Sequence, residues 1–206
     1  TTGTAALTAE TGIGGSGAAD LDTTIGTLTA TNNTSGDIYI QETDGLIIGG
    51  AGVRTLAANG NINVDVDAGA LTVSAVITAH GAGNITLNAD AGMLTQDAAQ
   101  TISSTSGHIL LTADSISQNA NVSTGGAGTV TLTADNGLIT MADLTTTTTA
   151  TGVIAYSSTS DVSLSVLTST SGAINVTAGS GASVSGAIRD ITALEAANLA
   201  TSGTAA

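Results

Sequence analysis

A ten-residue unit that begins with glycine recurs along most of the chain, at intervals of 20 to 24 residues. Its clearest copy is GNITLNADAG at residues 83–92, which returns as GHILLTADSI at 107–116 and as GTVTLTADNG at 128–137. Weaker copies begin at Gly36, Gly60, Gly152 and Gly172. A period of this length is typical of repeat proteins, in which each unit buries its apolar face against its neighbours.

Each unit opens with alternating apolar and polar residues. The second and fourth positions after the glycine are apolar: Ile38/Ile40, Ile62/Val64, Ile85/Leu87, Ile109/Leu111, Val130/Leu132, Ile154/Tyr156 and Ile174/Val176. The residues between them are mostly polar or small, and this period of two predicts a strand with one face inward. The sixth position is small in four units, at Ala89, Ala113, Ala134 and Ala178.

A turn and a second apolar set follow the first strand. Asp-x-Gly sequences at 67–69, 90–92 and 135–137 are turn signals, because Asp bonds its own backbone and Gly accepts positive φ. The second set consists of Leu46/Ile48, Leu71/Val73, Leu138 or Ile139, Val162/Leu164 and the residues around Val184. We therefore expect two or three short strands in each unit.

These features predict an all-β fold, a right-handed single-stranded parallel β-helix (β-solenoid) with about 20–24 residues per coil. The Leu-x-x-Leu-x-Leu pattern of leucine-rich repeats is absent, and a propeller blade needs about 40 residues. We expect an irregular N-terminal cap or coil at 1–33 with a Gly-rich loop at 12–22, and the repeat array at 34–191. Residues 192–206 are predicted to form a C-terminal cap or linker, and 190–200 to be either a short capping helix or a final coil. The threonine run at 145–149 is predicted to be an outer strand or corner.

Composition limits the partners and the location of the chain. Its 206 residues include no Cys, Pro, Phe or Trp, and the interior must be built from Ile, Leu, Val and Ala. Sixteen acids against Arg54 and Arg189 give a net charge of −14, which disfavours nucleic acid and anionic membrane surfaces. No apolar run approaches the ~20 residues of a membrane-spanning helix, so we expect no direct membrane insertion. The sequence starts at Thr1 without a signal peptide, and we expect it to be mature, processed or cut from a larger protein.

The Gly-[Asn/Asp]-Ile-x-[Leu/Val]-x-Ala units, the Asp-Gly corners and the Ala/Thr/Gly/Ser bulk resemble a known family. They are similar to the filamentous-haemagglutinin-like adhesins, large exported bacterial surface proteins with long right-handed β-helical bodies. The resemblance covers residues 34–190. It implies export through the outer membrane, an extracellular or cell-surface location, and a role in adhesion, biofilm or surface filaments. It assigns no binding residue to this chain.

Four aspartates, Asp67, Asp90, Asp114 and Asp135, lie seven residues after their leading glycines. In a solenoid this register forms a column of carboxylates, which repel one another unless solvated, bonded to the turn or bridged by a cation such as Ca²⁺. The simpler interpretation is four solvent-facing turn residues, with no cofactor. Calcium is the only cofactor for which the sequence offers a candidate.

Catalysis is not expected from this sequence. His80 and His108 are isolated, Lys is absent, and Arg54 and Arg189 are 135 residues apart. An ice-binding array would need regular Thr-x-Thr pairs on the outward face of the first strand, and only residues 131–133 provide one. The sequence thus favours a non-enzymatic structural segment, with a glycan- or receptor-binding adhesin module as the alternative. Ice binding or a carbohydrate-active β-helix is a weaker interpretation. Because both ends of a solenoid expose unpaired strand edges, end-to-end self-association into filaments is a further hypothesis.

Overall fold

A computed structural model describes residues 2–190 and 198–201, with side chains described for residues 2–186. The chain is an all-β parallel β-solenoid of about eight coils, with about 23 residues per coil. Its cross-section has three faces, here called A, B and C in the order in which the chain passes through them. The predicted fold class is therefore confirmed.

Face A contains the strands that the repeat predicted. Its strands are β2 (Leu21–Thr23), β4 (Ile38–Glu42), β6 (Ile62–Val66), the first halves of β9 (Ile85–Gln96) and β11 (Ile109–Gln118), β13 (Val130–Ala134), β16 (Ile154–Ser158), β18 (Ile174–Ala178) and β20 (Asn198–Thr201). Every neighbouring pair is parallel and in register, so that Ile62 lies between Ile38 and Ile85. Equivalent residues therefore stack about 4.8 Å apart along the axis.

Faces B and C complete each coil. Face B is formed by the first part of β5 (Leu46–Thr55), β7 (Leu71–Val73), the second halves of β9 and β11, β14 (Ile139–Met141) and the first parts of β17 (Val162–Ser169) and β19 (Val184–Asp190). Face C is formed by the second parts of β5, β17 and β19 together with β8 (Ile77–Ala79), β10 (Ile102–Ser104), β12 (Val122–Thr124) and β15 (Thr146–Thr149). The first coils differ, because β1 (Thr4–Ala9) and β3 (Thr27–Asn32) run through both faces without a corner.

The inward residues form continuous apolar ladders. Leu87, Leu111 and Leu132 occupy one ladder beneath face A, and each is at most 1% exposed. The residues predicted to point inward on the first strand of the seven units are all buried, as are the four alanines at the sixth position. Burial of this kind stabilises a fold by about 25 cal/mol per Å² of apolar surface removed from water.

The leading glycines have a steric role that the sequence alone did not reveal. A Cβ atom built on Gly107 would collide with the carbonyl oxygen of Gly83, which lies directly above it in the preceding coil. The same collision with the glycine above would occur at Gly60, Gly83, Gly128, Gly152 and Gly172. The coils are thus packed backbone against backbone at this corner, and only glycine fits.

The structure refines two local predictions. The Asp-x-Gly sequence at 90–92 lies at the corner between faces A and B, as predicted, but strand β9 continues through it without a separate turn. Gly92 is required there because a Cβ would collide with the carbonyl of Gly69, whereas Gly69 itself has the predicted positive φ of +94°. The threonine run forms the end of a corner and strand β15, as predicted, but it is not purely outer, because Thr145, Thr147 and Thr149 are buried.

The structure also decides between two open alternatives. Ile139 is the inward residue of its strand and is fully buried, while Leu138 is 39% exposed. At the C-terminal end, β20 pairs in parallel with β18, which extends face A by one strand. Residues 191–197 and 202–206, which include most of the predicted C-terminal segment 192–206, lie outside the described residues.

Candidate functional site

The four aspartates predicted to form a column differ in their surroundings. Asp67, Asp90 and Asp135 are exposed at the corner between faces A and B, and Asp114 is half-buried within β11. Asp67 and Asp90 converge with Asp65, a residue that the sequence prediction missed, and one carboxylate oxygen of each lies within 4.8 Å of the others. Among the described residues, no such cluster of three or more His, Asp or Glu side chains includes Asp114 or Asp135.

Side-chain amides hold the three clustered carboxylates together. Gln41 Nε2 donates to Asp67 Oδ1 over 2.9 Å. Asn88 Nδ2 donates to Asp65 Oδ1 over 3.0 Å and also to Asp90 Oδ1. The bonds to Asp67 and Asp65 run between successive coils, so the cluster connects three rungs of face A, while the bond to Asp90 lies within one coil.

The pKa of Asp65, the most buried member of the cluster, is raised. Partial burial raises the pKa of Asp65, and the charge on Asp90 raises it further, while the hydrogen bond from Asn88 lowers it. Asp67 and Asp20 add smaller contributions that raise it. Asp65 therefore binds its proton more tightly than an isolated aspartate does.

These three carboxylates lie close enough together to offer oxygen ligands to one divalent cation. Ca²⁺ requires six to eight oxygens, and three carboxylates with two neighbouring amides supply part of such a set. However, Asp67 and Asp90 are exposed, and each of the three carboxylates already accepts an amide hydrogen bond. The amide bonds thus account for the cluster without a cation, and calcium binding stays a prediction.

A loop interrupts face A beside this cluster. Ile13 forms a parallel bridge with Ile38, and Leu21 pairs with Ile40. The seven residues 14–20 therefore stand where the next coil has Tyr39 alone. The loop contains a short 3-10 turn at Gly17–Ala19 whose three residues are all exposed. It is the Gly-rich segment predicted from the sequence, and the fold turns it outward from the solenoid.

The two histidines bind structural partners. His80 Nδ1 lies 2.7 Å from the carbonyl oxygen of Ala58. His108 continues a side-chain ladder at the start of face A, in which each side chain accepts the backbone N–H of the next coil: Asp37 from Asn61, Asn61 from Asn84, Asn84 from His108, and His108 Nδ1 from Thr129. His108 thus occupies the position that Asn61 and Asn84 hold in the two preceding units, directly after the leading glycine, and it continues their hydrogen-bonding role.

A row of polar side chains lies inside the bore at the corner between faces C and A. Ser104 donates to the carbonyl of Gly83 over 2.7 Å, and Thr124 donates to that of Gly107 over 2.6 Å. Equivalent bonds to leading glycines come from Asn32, Thr55, Thr149 and Ser169. These buried residues were not predicted. The signal that could have found them is a polar residue three to five positions before six of the seven leading glycines, with Ala79 in the same place before Gly83.

A second buried polar group fills the middle of the bore. The Tyr156 hydroxyl donates to Gln118 Oε1 over 2.6 Å and lies 2.7 Å from Thr147 Oγ1. Gln118 Nε2 donates to Thr147 Oγ1 over 2.9 Å. Complete burial raises the pKa of Tyr156 far above its ordinary value, so the phenol stays protonated. The three buried side chains satisfy one another's hydrogen bonds inside the bore.

Two outward columns consist mostly of hydroxyl side chains. An unbroken column on face B contains Thr27, Ile47, Thr72, Thr95, Ser117, Thr140, Ser163 and Ser185. The corresponding column on face C contains Thr8, Thr31, Arg54, Thr78, Ser103, Ser123, Thr148 and Thr168, and the backbone register continues it to Arg189. Both arginines of the sequence thus share one column, and neither column contains an acid.

Comparison with known proteins assigns no relative, since no family model, curated protein or solved structure matches the chain. Among the described residues, no helix is long and apolar enough to cross a membrane.

Proposed function

We propose that this chain is a non-enzymatic structural segment of an extracellular bacterial surface protein, forming a rod for adhesion, biofilm or surface attachment. The observation that carries the proposal is the continuous parallel stacking of about eight coils, with unbroken ladders inside and outside. Such a body holds its two ends at a fixed separation along the axis, which is what a spacer on a cell surface must do. The resemblance of the repeat unit to the filamentous-haemagglutinin-like adhesins supports the extracellular location.

The polar side chains support a structural role. His80 and His108 bond to the backbone or to a ladder hydroxyl, and Asp65 and Asp67 bond to amides of neighbouring coils. Buried hydroxyls bind glycine carbonyls in the bore. In each case the polar group completes the solenoid, because it satisfies a hydrogen-bonding group of an adjacent coil.

Display on living cells tests this proposal. The chain would be joined to a bacterial outer-membrane anchor at one end and to an epitope tag at the other. We expect antibody to reach the tag on intact cells and the chain to resist added protease. Leu111→Asp, in the bore, should lose this resistance, and Leu110→Asp, on the outer surface, should keep it. Retention of the original chain inside the cell, or its degradation at the rate of Leu111→Asp, would contradict the proposal.

A binding module is the second candidate, favoured by the loop at residues 14–20. The loop is exposed, interrupts the regular stacking of face A, and ends at Asp20, whose charge raises the pKa of Asp65. Its occupant would be a glycan or a protein receptor. Replacing residues 14–20 with one asparagine restores the length of the neighbouring coil and should leave thermal stability intact. If the original chain binds glycans on an array, this variant should lose that binding; equal binding by both would exclude the loop as the site.

A further inference from the structure

Arg54 is the one Lys or Arg side chain that the structure describes, and it lies in a column of hydroxyl groups. On the outward side of face C, Thr31 stands in the coil before it and Thr78 in the coil after it. The backbone register places Arg189 in the same column, six strand pairings further along. The two arginines of a chain with sixteen acids therefore share a column that contains no acid.

Within the described residues, Arg54 forms no ion pair and no hydrogen bond. Its Nε is buried without a partner, so the stem of the side chain lies against the sheet, while the two terminal nitrogens are not buried. A stem that is already packed loses little freedom when a ligand binds. The guanidinium is therefore held in a position from which its terminal N–H groups can bind a planar anion such as a carboxylate.

The neighbours of Arg54 offer hydroxyl groups and an apolar side chain. Thr31 and Thr78 lie about 4.8 Å to either side of it along the axis, and in the described part of the chain neither hydroxyl has a hydrogen-bond partner. Leu56, two residues after Arg54, continues the ladder by donating its N–H to the carbonyl of Asn32, and its side chain is 48% exposed. A cation between hydroxyls, with an apolar side chain beside it, matches the carboxylate, hydroxyls and apolar ring face of a sugar acid.

Charge restricts which acidic glycans suit this surface. The net charge of −14 repels densely charged chains, so the ligand must carry isolated carboxylates. The residues beside Arg54 in its strand and column, Gly52, Leu56, Thr31 and Thr78, include no acid. At physiological salt the Debye length is about 8 Å, and more distant acids are screened. A single carboxylate can therefore approach Arg54 without meeting a like charge.

We infer that Arg54, Thr31, Thr78 and Leu56 form a binding site on face C for a glycan that carries an isolated carboxylate. The carboxylate pairs with the terminal nitrogens of Arg54, and the two threonines bond to sugar hydroxyls. The inference rests on the proposed adhesive role and gives the class of its ligand. The site is separate from the loop at residues 14–20, which ends at the acid Asp20 and does not suit an anionic ligand.

NMR titration with two acidic oligosaccharides, sialyllactose and a hyaluronan tetrasaccharide, tests the inference. Lactose and chitotetraose are their neutral counterparts. Arg54→Gln removes the charge, and Arg54→Lys keeps the charge without the planar fork. Arg189→Gln is the matched control, because it removes the same charge roughly 29 Å further along the axis, beyond the reach of these short chains. The variant with residues 14–20 replaced by one asparagine separates this site from the loop, and circular dichroism establishes that each variant is folded.

The original chain should bind at least one acidic oligosaccharide and bind its neutral counterpart at least about tenfold more weakly. Arg54→Gln should weaken the acidic binding by about tenfold or more, Arg54→Lys by less, and the other two variants should bind as the original chain does. A folded original chain that binds neither acidic oligosaccharide, or equal binding by Arg54→Gln, would overturn the inference and leave the proposed structural role standing. An equal loss in Arg189→Gln would also overturn it, since net charge alone would then control binding. An original chain that is unfolded would remove the proposed function together with the inference.

Discussion

Face A and the opposite wall of the bore are lined by different kinds of inward side chain. Under face A the inward rows are apolar, as in Ile85, Ile109 and Val130, and the register does not change between coils. On the opposite wall, the last inward row before face A is mainly hydroxyl and amide side chains, and the corner between faces B and C varies in length. The exceptions under face A are Tyr156, whose hydroxyl reaches across to Gln118 and Thr147, and the buried Glu42 and Ser158 at the ends of their strands.

The difference follows from the backbone groups that each wall exposes. Beneath face A the backbone bonds run along the axis between strands, so the bore needs only apolar volume there. At the corner between faces C and A the chain turns, and the carbonyls of the leading glycines need donors. A buried polar side chain is tolerated where it supplies such a donor, because the cost of desolvation is then offset.

The largest expected effect comes from placing a charge in the apolar wall. Leu111 is 1% exposed and its outward neighbour Leu110 is 38% exposed. Leu111→Asp buries a carboxylate without a partner, and we expect a loss of roughly 3–5 kcal/mol of the free energy of unfolding. Leu110→Asp should cost less than about 0.5 kcal/mol, as surface changes do. Urea unfolding followed by circular dichroism measures both, and equal stability of the two variants would mean that the inward register is wrong.

Removing one hydroxyl from the central polar group should have the next largest effect. Tyr156→Phe removes the 2.6 Å hydrogen bond to Gln118 Oε1 and leaves that oxygen only the 3.4 Å bond from Thr147 Oγ1, and we expect a loss of about 1–3 kcal/mol. Replacing all three members with Gln118→Met, Thr147→Val and Tyr156→Phe leaves no unpaired polar atom in this group, so most of the loss should be recovered. Thermal unfolding of both variants checks this. A triple variant less stable than the single one would show that the polar group itself stabilises the bore.

A smaller effect is expected from the hydroxyls that bind glycine carbonyls. Thr124→Val keeps the shape of the side chain and removes its bond to the carbonyl of Gly107, which should cost about 1–2 kcal/mol. Thr131→Val, on the outward side of face A, is the matched control and should change stability by less than about 0.5 kcal/mol. Chemical unfolding compares the two variants. An unchanged unfolding midpoint for Thr124→Val would mean that hydrogen bonds to the glycine carbonyls do not stabilise the fold.

The smallest effect concerns the aspartate cluster and depends on pH. Because the folded state raises the pKa of Asp65, it binds the proton more tightly than the unfolded chain does. Stability therefore falls as the pH rises from the ordinary aspartate value toward the raised value, and this loss persists at neutral pH. Asp65→Asn should unfold at a slightly higher temperature than the original chain at pH 7, by less than about 1 kcal/mol for a partly solvated group. The two should unfold alike at pH 3, and a less stable variant at pH 7 would contradict the sign.

The same contrast explains what the sequence could predict. Strict alternation of apolar and polar residues, as around Ile85 and Leu87, predicts the strands of face A directly, because inward and outward residues differ in polarity there. Face C could not be predicted in this way, since Thr147 and Ser104 are buried while Thr148 and Ser103 point outward. Polar residues on both sides of a strand conceal the period of two.

The candidate site was predicted only in part for a related reason. Asp67 and Asp90 share a position in the repeat and were found by their spacing, but Asp65 belongs to the outward side of one strand and has no counterpart in the other units. Its proximity to them depends on the register between coils. The sequence also could not show that Arg54 and Arg189 share a column, because that requires counting six successive strand pairings.

Engineered disulfides test the coil register most directly, because the chain contains no Cys of its own. Thr95 pairs with Ser117, and Ser117 pairs with Thr140, all on the outward side of face B. Adjacent rungs are about 4.8 Å apart, within the range that a disulfide spans, while two rungs are about 9.6 Å apart and exceed it. Mild oxidation should cross-link the chain carrying Thr95→Cys and Ser117→Cys and leave the chain carrying Thr95→Cys and Thr140→Cys reduced. Cross-linking of the second pair in preference to the first would contradict the stacked solenoid.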